Sequence, residues 1–124
     1  MREYSGKLGS KNVKLAITWG ASERIAEEVG DILVLVREAA REAIFAARGI
    51  DYKPEIILDT AAIAKVLYIG LSEAGSPMTE EALREAMMDA GLVESRELAE
   101  SYISAIATPK SAAITNKDKP SGKK

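Results

Sequence analysis

The 124-residue chain holds no cysteine and no histidine, so any chemistry falls to carboxylates, lysines, tyrosines and hydroxyls. That excludes thiol nucleophiles, imidazole bases, haem ligation, zinc fingers and a Ser-His-Asp arrangement. Two acidic clusters have oxygen donors suited to a hard cation: Glu27, Glu28 and Asp31, and Glu80, Glu81 and Glu85. Both read more simply as solvated helix faces. Glu38, Arg41, Glu42 and Arg48 fall where acids and bases pair along one helix, at about 0.2–0.5 kcal/mol per pair. Nothing supplies a base or nucleophile near neutral pH. The sequence therefore predicts a protein that binds and does not catalyse, with no cofactor, no metal and no small-molecule substrate.

Charge is unevenly spread. The 17 basic and 19 acidic residues give a net charge of −2. Residues 1–20 carry Arg2, Lys7, Lys11 and Lys14 against Glu3, for +3. Residues 21–77 carry −4, residues 78–107 carry −5, and residues 108–124 carry +4. Basic ends on an acidic body suit contact with phosphate backbones or with a neighbouring subunit. The Lys-, Pro-, Gly- and Ser-containing end also reads as a flexible, solubilising tail.

At 47% apolar and 29% charged, the composition is that of an ordinary globular domain. The first residues lack an apolar secretory stretch, and the longest nearly apolar run, Thr60 to Leu71, is too short to span a bilayer. The expected location is cytoplasmic, with no membrane partner. The absence of glutamine and the presence of only Asn12 and Asn116 fit a thermophile.

The clearest element is a helix from about Ser22 to Arg48. Ile25, Val29, Ile32, Leu33, Val36, Ala40, Ala43, Ile44 and Ala47 recur at helical spacing, with Ser22 as N-cap and Gly49 beyond the end. Such a rod is roughly 40 Å long, against a radius of gyration of ~13 Å for a domain of this size. Val34, Leu35 and Phe45 lie off its main stripe, and a dimer interface would use them. Asp59 or Thr60 starts a helix to about Ala74, Thr79 starts another to Gly91, and Ser95 caps a last one ending at Thr108-Pro109. Val13, Leu15, Ile17 and Trp19 alternate as in a strand. That segment stays open between a strand, in a βαβ unit lacking a phosphate loop, and a short helix.

Trp19-Gly20-Ala21-Ser22-Glu23-Arg24-Ile25-Ala26-Glu27-Glu28 resembles the first loop and second-helix start of archaeal histones. Leu58-Asp59-Thr60-Ala61-Ala62-Ile63-Ala64-Lys65-Val66-Leu67 resembles their short strand and third helix. The resemblance covers residues 11–70 and implies a handshake dimer that contacts duplex DNA through paired loops. Arg24 matches the family's loop arginine, and Lys11, Lys14 and Lys53 join it as candidate DNA contacts. Glu55-Ile56-Ile57 stands where the family carries Arg-Lys-Thr, and Ala62 replaces an acid, which leaves few loop cations.

Residues 64–95 also resemble a winged helix-turn-helix. Its reading helix, Ser95 to Ala107, would present Arg96, Glu97, Glu100, Ser101 and Ser104, and the two glutamates would repel phosphates. A packed helical extension is the better reading.

The expected architecture is all-α: a histone-fold-like long central helix flanked by shorter helices, with a two-helix C-terminal extension. Its parts are a basic arm (1–10), the histone-fold-like region (11–75), the extension (76–108) and a basic tail (109–124). The expected function is a non-enzymatic dimeric assembly protein. Its partner is a second copy or a related histone-fold chain, with duplex DNA as a candidate ligand in nucleoid organisation or transcription. The alternatives are a helical subunit of a larger assembly, such as a viral coat or an effector-complex small subunit, and a winged-helix regulator.

Overall fold

The computed structural model describes residues 2–109. The expected basic tail lies outside the described residues, Pro109 apart. The chain begins with β1 (Glu3–Leu8) and β2 (Lys11–Ala16), paired antiparallel from Glu3 opposite Ala16 to Leu8 opposite Lys11. Leu8, Val13 and Leu15 are buried, while Glu3, Ser5, Lys7, Asn12 and Lys14 are exposed, as a two-faced hairpin requires. Gly9, at φ 65°, supplies the left-handed residue of the two-residue turn.

Of the alternating segment, Val13 and Leu15 are thus in a strand, while Ile17 lies past its end and Trp19 opens the first helix. Residues 3–8, read from sequence as part of an arm, are that strand's partner. The protein is mostly helical with a small sheet, which corrects the all-α expectation.

The expected continuous helix is two: α1 (Trp19–Glu28) and α2 (Ile32–Ala47). The amides of Val29 and Gly30 both donate to the Ile25 carbonyl, at 2.8 and 2.9 Å. The Asp31 carboxylate then accepts from the amides of Leu33 and Val34, at 3.0 and 3.4 Å. A glycine followed by a good N-cap favours a fresh start over continuation, although the apolar spacing runs straight through. The first helix also begins before Ser22. Thr18 is its N-cap, accepting from the Ala21 amide at 3.1 Å, so Gly20-Ala21-Ser22 is helix and not loop.

The remaining helices are α3 (Thr60–Glu73), α4 (Glu80–Ala90) and α5 (Leu92–Ala107). Asp59 and Thr79 cap α3 and α4 as read from sequence, at 2.9 and 3.1 Å. Ser95 does not cap α5. Gly91, at φ 96°, turns the chain sharply and lets α5 start at Leu92. Ser95 is buried one turn in, its hydroxyl donating to the Gly91 carbonyl at 2.9 Å.

All seven elements share one core. Leu15, Ile25, Val66, Leu67, Leu83 and Tyr102 are each at most 1% exposed. Residues 76–108 therefore contribute to the same core as residues 11–75. Tyr102 joins three elements: its hydroxyl donates to the Ala16 carbonyl of β2, and its ring fills the space over Gly70 of α3. Burial pushes that hydroxyl's pKa up. Among the described residues, no helix is long and apolar enough to cross a membrane.

Candidate interaction surfaces

Residues 49–59 carry no regular structure and fold back along α2 as a strap. One side chain organises it. Glu38, on α2, accepts from the Tyr52 hydroxyl at 2.7 Å and from the Glu55 amide at 2.8 Å. Arg37 donates to it at 3.2 Å and reaches Glu55 at 3.0 Å, while Arg41 lies 3.8 Å away. Only 3% of Glu38 is exposed, and the cover consists of the strap and arginines at the molecular surface. The Glu55 amide first, then the Tyr52 hydroxyl, hold its carboxyl below the usual carboxylate range. Phe45 completes the clasp by stacking on Tyr52, ring centres 5.0 Å apart.

Between α2, the strap and α5 runs a groove of about 350 Å³, lined by Val36, Ala39, Ala40, Ile56, Ile57 and Ile103. Arg96 spans its rim, 2.9 Å from Glu42 and 3.1 Å from Glu100. Ile57, on the groove wall, is 64% exposed, and Ile44 (53%) and Ile50 (51%) stand outside the groove. Trp19 (81%) and Leu33 (69%) border a second shallow depression with Ile17 and Ile106.

The hairpin offers a polar surface. Ser5, Lys7, Asn12 and Lys14 share its outer face, beside an open concavity floored by Leu71 and the Ala74–Met78 stretch. Among the described residues Lys7, Lys11 and Lys14 make no ion pair, whereas Arg24, Arg37, Arg41 and Arg96 all do.

The structure scatters the expected DNA contacts. Lys11 and Lys14 lie on β2, and Lys53 is exposed on the strap. Arg24 is held on α1 against α3, 3.0 Å from Glu73 and 3.4 Å from the Ser72 hydroxyl, with Glu28 at 3.9 Å. The concavity includes Lys14 alone of the four and adds Lys7, which faces Asn12 across the hairpin.

The expected dimer residues divide similarly. Leu35 is 6% exposed, held in its own core at the base of the groove. Phe45 is half-covered by Tyr52, and Val34 is half-buried. Arg96, placed by sequence on a base-reading helix, is engaged by Glu42 and Glu100.

The strap's dependence on Glu38 is not legible in sequence, because its partners are 14 and 17 residues away. Among the described residues no group of three acids gathers as a metal site. No protein-family model, curated protein or solved structure matches the chain. The surfaces themselves carry the functional reading.

Proposed function

We propose that the protein is a non-enzymatic, self-assembling module, and one observation carries this reading. Among the described residues seven large apolar side chains stand at least half exposed: Trp19, Leu33, Ile44, Ile50 and Ile57 on α1, α2 and the strap, and Met88 and Val93 on α4 and α5. Scattered single apolar residues are ordinary on a surface. Ile57 at the groove, Trp19 and Leu33 at the second depression, and Ile44 and Ile50 on α2 and the strap are several on adjoining elements, which suits a contact with protein. Ile57→Glu and Ile44→Glu test it. Each is expected to weaken association in sedimentation velocity while the helical circular dichroism stays unchanged. Association indifferent to both substitutions would remove the apolar face from the account.

A closed dimer, a histone-like handshake and an open filament are finer forms of the same proposal. The Asp59-capped third helix supports the histone-like form, and the hairpin and the α1–α2 break depart from it. Concentration-dependent growth without a limiting mass favours the filament.

A second reading has its own observation. Lys7 and Lys14, which make no ion pair among the described residues, share the outer face of the hairpin with Lys11 beside its turn, which suits sequence-independent contact with a phosphate backbone. With few cations on a body of net charge −2, such binding is weak, and its salt dependence is set by the few phosphates those lysines neutralise. Fluorescence anisotropy of a labelled duplex is expected to show weaker binding for Lys7→Ala and Lys14→Ala. Arg24→Ala is expected to leave binding unchanged, since Glu73 already engages that side chain.

A further inference from the structure

β1 has a neighbouring strand on one side only. The Ile17 amide donates to the Arg2 carbonyl at 2.8 Å, which sets the phase of the ladder. With the observed register, Tyr4, Gly6 and Leu8 turn their amides and carbonyls toward β2, and Glu3, Ser5 and Lys7 turn theirs away. No backbone group among the described residues pairs with those outward groups. Edges are usually blocked by proline, a bulge, a covering segment or charged side chains, lysine above all. In β1 only the last of these, Glu3 and Lys7, stands at the edge. Here six regular residues contain neither proline nor bulge, and Glu3, Ser5 and Lys7 are exposed.

We propose that β1 pairs antiparallel with β1 of a second copy, about a two-fold axis through Ser5. The strand is complementary to itself in that register alone. Residues that exchange hydrogen bonds across the new seam must be those with outward amides, so Ser5 meets the partner's Ser5. Glu3 then meets the partner's Lys7, and Lys7 meets the partner's Glu3, each on the outer face where opposite charges attract. On the inner face Tyr4 lies opposite the partner's Gly6, a position where Leu98 of α5 packs so closely that a Cβ would sit 2.6 Å from it, so the ring must settle beside that leucine. In one chain Tyr4 already leans over Gly6: a Cβ added there would lie 3.3 Å from its ring.

The seam joins two hairpins into a four-stranded antiparallel sheet. Lys14, Ser5, the partner's Ser5 and the partner's Lys14 form one row across its outer face. The interface is isologous and closes at two copies.

It does not rest on the apolar face. Ile57→Glu leaves this seam intact, so loss of one contact is separable from loss of the other.

The test uses the full chain in sedimentation equilibrium. Glu3→Lys and Lys7→Glu each replace two attractive pairs by two repulsive ones, and each is expected to raise the dimer dissociation constant about tenfold. The double variant Glu3→Lys/Lys7→Glu restores the attraction and is expected to return it near the wild-type value. Ser5→Pro removes an outward amide that β2 does not use, so it abolishes the seam and keeps the hairpin. Amide exchange at Ser5 and Lys7 in the wild type should slow as concentration rises. Single swaps without effect, a double variant that fails to rescue, or exchange independent of concentration would each overturn the proposal.

Discussion

Glu38 shows how one residue on a mostly exposed helix can set the path of a whole irregular segment. Its two shortest hydrogen bonds come from Tyr52 and from the Glu55 amide, so protonation weakens its hold on the strap. The folded carboxyl titrates below its ordinary value of 4.5. Its contribution is therefore complete above that value and is lost as pH falls through the lower, folded one. The Glu55 amide is expected to lose protection from exchange in acid, and Glu38→Gln to remove that acid transition. Protection unchanged down to the acid limit would contradict this.

Tyr102 is the corresponding point in the core. Tyr102→Phe leaves the Ala16 carbonyl without its donor in a buried setting and is expected to cost about 1–3 kcal/mol. Urea denaturation measures it. Gly70→Ala would place a methyl 2.9 Å from the Tyr102 ring, and a cost of about 1–3 kcal/mol from overpacking is expected.

At the scale of elements, what is legible in the sequence is what local chemistry decides. Asp59 and Thr79 announce α3 and α4 because a cap and its helix are neighbours in the chain. The α1–α2 break is hidden, since Val29, Ile32 and Leu33 keep helical spacing across a gap that only Gly30 and Asp31 betray. Asp31→Ala is expected to destabilise the protein by about 1 kcal/mol through loss of the α2 cap, read by thermal unfolding. The hairpin is half legible. Val13 and Leu15 alternate, and the signal for their partner is Gly9-Ser10, a hairpin turn lying between Leu8 and Lys11. The residues before that turn mix Glu3, Ser5 and Lys7 with a glycine, so their strand period is weak and their charge is the more visible property.

For the whole molecule, the candidate surfaces are less legible than the fold. Surplus apolar residues on α2 are visible in sequence, yet Leu35 turns inward and Phe45 meets Tyr52, because the strap's path depends on contacts far apart in the chain. Arg24 looks available until α3 places Glu73 beside it. What survives is an excess of uncovered surface: apolar side chains on α1, α2 and the strap, and an open strand edge at β1. Two distinct faces on one chain permit growth beyond a dimer, which a single isologous seam does not. Sedimentation velocity of the wild-type chain across a wide concentration range tests the assembly claim most directly. The predicted result is a mass that rises with concentration above the 13.3 kDa of one chain. A constant 13.3 kDa at every concentration would contradict it.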